Sequence, residues 1–163
     1  PLINPAGARR HIMGVYRPEL VEMVADVLVQ LEFEHALVVH GLDTLDEISV
    51  IGKTSVAEVR DGWARKYELR PEDVGLPRYT YDDLLGGTPD ENAAIVRAII
   101  AGEEKGARRD MVLANAGAAM LVGGKVEDLR AGVDLAREMI DSGEALRKLE
   151  QFIAASNRIA QAA

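Results

Sequence analysis

Asp46 and Glu47 stand side by side in the polar stretch His40-Gly41-Leu42-Asp43-Thr44-Leu45-Asp46-Glu47-Ile48-Ser49, directly after the apolar run Ala36-Leu37-Val38-Val39. Two adjacent carboxylates offer oxygens to a hard divalent cation. Mg²⁺ prefers oxygen ligands, keeps several waters, and is usually held by one or two carboxylates together with substrate phosphates. The pair therefore suits a metal–phosphate site and would hold the cation only with an anionic ligand beside it. Acidic dipeptides on acidic proteins also simply face solvent. What favours function here is the position after a strand-like run, because ligands of open parallel sheets gather beyond the carboxyl ends of the strands. His40 fits a base, a metal ligand or a half-buried turn cap. Asp43 reads as a turn residue, since Asx side chains bond backbone two residues on.

Other segments invite chemistry less strongly. The opening Pro1-Leu2-Ile3-Asn4-Pro5-Ala6 is a rigid apolar loop. It fits the wall of a flat-ring pocket or a plain connector, and composition alone favours the connector. Gly86-Gly87-Thr88 and Gly123-Gly124-Lys125 resemble phosphate cradles, but neither has the spacing of a P-loop or of GxGxxG. Both read as helix ends with Gly at a C-cap. Arg108-Arg109 reads as a solvated basic pair opening a helix, and Asn115-Ala116-Gly117-Ala118-Ala119 as small-residue packing.

The elements that must position these residues follow from periodicity. A short apolar strand covers residues 11–16. A helix runs from Glu19 to near Phe33, with Leu20, Val21, Val24, Val27, Leu28 and Leu31 at helical spacing. A second buried-type strand covers 36–40. A strand–helix–strand unit of this length joins parallel strands. Thr54 to Arg60 and Trp63 to Leu69 alternate at period two around Asp61-Gly62, which signals a hairpin. Residues 70–90 are irregular, with a helical turn near Tyr81. Four helical stretches follow, over 93–102, 108–123, 125–142 and 143–160. The expected fold is α/β: a partial parallel-type sheet with an antiparallel hairpin, flanked by helices.

Composition removes several function classes. Among 163 residues there is no cysteine, which excludes disulfides, thiolate metal sites and thiol nucleophiles and suits a reducing cytoplasm. With 27 acids against 19 bases the net charge is −8, a poor match for a phosphate backbone. Aromatics at 4% leave no base-stacking platform. Neither nucleic acid nor membrane is an expected partner. The chain opens on Pro1 instead of Met and is expected to continue a longer polypeptide.

Six segments taken in register resemble the carboxy-terminal half of the anthranilate phosphoribosyltransferase family. They are Pro1-Leu2-Ile3-Asn4-Pro5-Ala6, the strand from His11 to Val15, Val38-Val39-His40-Gly41 with Leu45-Asp46-Glu47-Ile48-Ser49, Gly86-Gly87 with Glu91-Asn92-Ala93, Gly106 through Asn115-Ala116, and Ile140-Asp141-Ser142-Gly143. The resemblance implies a nucleoside phosphorylase-like phosphoribosyltransferase fold and Mg²⁺-dependent transfer of phosphoribosyl from phosphoribosyl pyrophosphate to anthranilate. It implies Asp46 and Glu47 as metal ligands, Pro1 against the anthranilate ring, a homodimer when intact, and a cytoplasmic location. It also implies that residues 1–163 form the carboxy-terminal part of the α/β domain. The helical amino-terminal domain and the Gly-rich diphosphate loop would lie upstream, and the chain alone would be inactive. The alternatives are a non-catalytic metal–phosphate-binding domain or partner subunit, or a related transferase with another aromatic acceptor.

Overall fold

The computed structural model describes Leu2 and residues 5–162, with side chains as far as residue 160. Its middle layer is a four-stranded sheet in the order β1-β2-β3-β4, formed by β1 (Arg10–Gly14), β2 (His35–Gly41), β3 (Thr54–Arg60) and β4 (Trp63–Leu69). β1 and β2 run parallel, with Arg10 opposite His35 and Gly14 opposite Val39. The other two pairings are antiparallel. The expected parallel unit and hairpin are both present. Asp61 and Gly62 carry φ values of 52° and 81°, the paired left-handed conformation that matches a two-residue turn to the twist of its strands.

All seven residues of β2 are buried, because both faces are covered. Ala36 and Val38 meet Val21, Ala25 and Leu28 of α1 (Glu19–Gln30), which recur at helical spacing. Leu37 and Val39 face the opposite layer, with Leu113, Ala114 and Ala118 of α3 (Ala107–Val122) and Val133 of α4 (Leu129–Asp141) in the same cluster. Continuous coverage explains why β2 reads as an unbroken apolar run and β4 does not. The remaining helices are α2 (Pro89–Ile100) and α5 (Glu144–Ala162). Among the described residues no helix is long and apolar enough to cross a membrane.

Three expectations are corrected by caps and turns. α2 starts at Pro89, not 93, because Thr88 and Glu91 form a capping box: the Thr88 N–H donates to Glu91 Oε2 at 2.7 Å, and Thr88 Oγ1 accepts from the Glu91 N–H. Gly86-Gly87 thus precedes a helix and does not close one. α4 starts at Leu129, not 125, because Asp128 Oδ1 accepts from the Ala131 N–H at 2.8 Å. The irregular stretch holds two 3₁₀ turns, Pro71–Val74 and Tyr81–Leu84.

α3 and α4 touch through glycines. A Cβ on Gly117 would lie 2.6 Å from the Val133 backbone nitrogen, and one on Gly132 would run into the Gly117 carbonyl oxygen. The small-residue run was correctly read as a close helix contact. Gly117→Ala is expected to destabilise the chain by about 1–3 kcal/mol, as overpacking of a backbone contact does. A urea midpoint equal to the parent's would refute the contact. The two sheet edges also differ. β4 carries the exposed charged residues Arg65, Lys66 and Glu68, charges of the kind that blunt an edge. β1 pairs with β2 alone among the described residues and carries Ile12 and Met13. Along α1 and its C-cap, Met23, Val27 and Leu31 recur every four residues and are exposed. The isolated chain is therefore expected to self-associate. A single monomeric boundary in sedimentation velocity at micromolar concentration is the contrary result.

Candidate functional site

The loop from β2 to β3, residues 42–53, carries Asp46 and Glu47 and turns back over the carboxyl end of β1. Contact is close enough that a Cβ on Gly14 would overlap the Asp46 carbonyl oxygen. The placement beyond the carboxyl ends of the parallel pair agrees with the sequence expectation.

Backbone and side-chain bonds fix the loop from inside. The Gly41 N–H donates to Leu45 O at 2.7 Å, and the Thr44 N–H to Gly41 O at 2.9 Å. Asp43 accepts from the Leu45 N–H at 3.4 Å, two residues on, as a turn Asp should. Its other oxygen accepts from the Ser49 hydroxyl. Ser49 Oγ in turn accepts from the Ile51 N–H at 2.9 Å. Thr44 holds φ at 85°, an uncommon conformation for a β-branched residue and a local strain the surrounding bonds must maintain.

From outside the loop, the Tyr79 N–H donates to Val50 O at 2.9 Å, and a side chain of α3 holds the peptide beside Glu47. The Asn115 side chain on α3 accepts from the Ile48 N–H at 3.0 Å and donates to Ile48 O at 2.9 Å. Asn115 was read only as the start of a small-residue run. The missed signal is its helical position four residues after Met111, on the side of α3 that turns inward. A half-buried amide there calls for polar partners.

Arg108 and Arg109 are also corrected. They are not a solvated pair. Arg109 is buried and donates to Asp141 Oδ1 at 2.6 Å, joining α3 to α4. Arg108 is half-buried and donates to Leu85 O at 2.6 Å. Asp110 accepts from the Tyr79 hydroxyl at 2.7 Å. Three consecutive residues thus pin three different segments. His40 is buried, and its ring Nδ1 lies 2.8 Å from Val15 O. A carbonyl only accepts, so Nδ1 carries the proton. His40 ties the end of β1 to β2, which fits the capping alternative.

Glu47 forms part of the wall of a cleft of about 370 Å³, together with Leu45, Leu84, Leu85, Arg108 and Met111. The carboxylates of Asp46 and Glu47 have no ion-pair or hydrogen-bond partner among the described residues. Shielding at the cleft wall, and then the neighbouring Asp46 charge, push the Glu47 pKa above its ordinary 4.5. Glu68, Asp83, Glu91 and Asp141 move the other way, each because a hydrogen bond favours its charged form: from Lys53 to Glu68, from Thr80 to Asp83, from Thr88 to Glu91 and from Arg109 to Asp141. Crowded, unpaired like charges next to a cleft mark a place where a cation would relieve repulsion.

Residues 1–146 match the model of a family described as glycosyl transferase family, a/b domain. The chain belongs to this family. An anthranilate phosphoribosyltransferase of Desulfosudis oleivorans is 52% identical over 153 residues, 94% of this chain and 45% of that protein. One of Rubrobacter xylanophilus is 50% identical over 160 residues, 98% of this chain and 47% of that protein. The crystal structure of the Thermus thermophilus enzyme of that name superposes with a TM-score of 0.84 at 44% identity, over 93% of this chain and 44% of that one. The Saccharomyces cerevisiae enzyme in complex with PRPP and Mg gives 0.82 at 28% identity, over 91% of this chain and 43% of that one. The chain spans just under half the length of the curated relatives it matches.

The donor set can be tested against the Mg²⁺ that the family resemblance implies. Oxygen ligands, exposure and the absence of an ion-pair partner among the described residues all fit. Among the described residues no group of three or more potential ligands gathers, so this pair supplies only part of a coordination shell. Pro1, expected against the aromatic substrate, lies outside the described residues.

The pH consequence follows from the direction of the Glu47 shift. A carboxyl with a raised folded pKa binds protons more readily in the native state, so stability declines as pH rises from the ordinary 4.5 through the raised value. Glu47→Gln is expected to leave Tm unchanged near pH 4 and to raise it near pH 7. Equal melting curves for the variant and the parent at both pH values would contradict the crowding of the pair.

Proposed function

We propose that the chain is the carboxy-terminal part of an anthranilate phosphoribosyltransferase. The observation that carries this reading is identity of about one residue in two to enzymes of that name across nearly the whole chain. Residues 1–163 form the later part of the α/β domain, and a helical domain and a diphosphate-binding loop precede them in the complete polypeptide. That polypeptide works as a homodimer in the cytoplasm, with phosphoribosyl pyrophosphate and anthranilate as substrates.

In the proposed reaction the aryl amine of anthranilate forms a bond to the ribose C1 as the bond from C1 to the pyrophosphate oxygen breaks. The amine loses a proton, and pyrophosphate departs. An aryl amine is neutral near pH 7 and carries a free lone pair, so orientation and stabilisation of the departing charge matter more than a strong base. Asp46 and Glu47 would hold Mg²⁺, which would supply charge neutralisation to the departing pyrophosphate, and the repulsion between the two carboxylates would be relieved. Glu47 lines the cleft. His40 is buried with its Nδ1 held by the Val15 carbonyl, a tie between the end of β1 and β2.

The test joins the 163 residues to the amino-terminal part of the Desulfosudis oleivorans relative as one polypeptide. The joined protein is expected to form phosphoribosyl-anthranilate, and the 163 residues alone are not. Replacing Asp46 and Glu47 together by Ala in the joined protein should lower kcat/KM for phosphoribosyl pyrophosphate by about 10²–10³, the effect of losing a stabiliser of developing charge. KM for anthranilate should stay within a few-fold. An unchanged Mg²⁺ requirement in the double variant would remove the pair from the reaction.

A further inference from the structure

We infer that Asn115 is a positioning residue for the Asp46–Glu47 pair, an inference that rests on the metal-binding reading of that pair. The direction of the Glu47 side chain is set by the two peptide planes that meet at its Cα. The first contains the Asp46 carbonyl, and that oxygen packs against Gly14 where no Cβ fits. The second contains the Ile48 N–H, which Asn115 Oδ1 holds at 3.0 Å. Asn115 Nδ2 then holds Ile48 O at 2.9 Å, fixing the next plane as well.

The amide is itself anchored. Asn115 Nδ2 also donates to Met111 O at 3.0 Å, one turn back in α3. All three partners are satisfied in only one orientation of the amide, with oxygen toward the Ile48 N–H. Other bonds in the loop tie it to itself, to the start of β3 or to the segment before α2: Ser49 N–H to Thr54 Oγ1 at 2.9 Å, Leu42 N–H to Lys53 O at 2.8 Å, Tyr79 N–H to Val50 O at 2.9 Å. Asn115 is the polar side chain that refers the carboxylate pair to the helical layer. Ligand-orienting groups of this kind affect metal affinity without touching the metal.

The experiment titrates the joined polypeptide described above with Mn²⁺ in the presence of inorganic pyrophosphate, reading free Mn²⁺ by electron paramagnetic resonance. Amide exchange at Ile48 is followed alongside. Asn115→Ala, which keeps a good helix former in α3, is expected to weaken Mn²⁺ binding about 10–100-fold and to speed exchange at Ile48. Asn115→Ser serves as a second variant should the first fold poorly. Val133→Ala, a core change at the contact between α3 and α4, should lower Tm and leave the Mn²⁺ titration as in the parent. If Glu47→Gln loses Mn²⁺ and both Asn115 variants bind as the parent does, the inference is overturned and the metal reading stands. It is equally overturned if Val133→Ala weakens binding as much as Asn115→Ala, since loosening of the core would then explain both. If Glu47→Gln and the parent give the same titration, the metal reading falls, and this inference falls with it.

Discussion

The contact of Gly117 with Gly132 and Val133 sets how closely α3 and α4 lie, and much of the molecule takes its position from that distance. Two helix backbones in near contact leave no room for side chains between them. Their larger apolar residues are turned instead toward the sheet, where Leu113, Ala114 and Ala118 help close the core over Leu37 and Val39. α3 becomes a rigid post in consequence. From its start to its middle it is polar on the sides that the core does not use. From there Arg108, Asp110 and Asn115 reach loops, and Arg109 reaches the end of α4. The loops acquire fixed shapes because the post does.

Electrostatics then separates two kinds of acid in this acidic chain. Most carboxylates that feel a strong environment are already answered from within. Asp141 has Arg109 and Lys105, Glu68 has Lys53, and Glu58 has Arg65 and the His35 ring. Such pairs near the surface contribute modestly to stability. Asp46 and Glu47 are left unanswered although the loop that carries them is tied by many hydrogen bonds. A rigid loop that presents unneutralised charge costs stability in the free chain. The cation site proposed above would offset that cost.

The sheet and both covering layers were legible because they rest on periodicity. β2 has the continuous apolar run of a strand buried twice over, α1 has Val21, Ala25 and Leu28 at helical spacing, and Asp61-Gly62 is a turn whose conformation few other residues adopt. The position of Asp46-Glu47 after β2 was legible for the same reason. Helix starts were misplaced where a cap decided them. Thr88 and Asp128 act through one or two hydrogen bonds to residues three positions on, and a window of hydrophobicity does not register these. The roles of Asn115 and Arg109 were hidden for a deeper reason. Each depends on a partner far along the chain, Ile48 for one and Asp141 for the other, so their meaning is a property of the packed fold and not of their neighbours in sequence.

The separation between Asn115 and Ile48 has a temporal side as well. The amide lies 67 positions along the chain from the peptide it holds. The hairpin from β3 to β4 closes on neighbours only a few residues apart, and local closures of that kind are fast. The loop over Gly14 has no such shortcut. On a growing polypeptide the group that aims its carboxylates is made after them and must still dock. The bonds from Asn115 can form only once α3 is in place, so the loop takes its final shape no earlier than that part of the core.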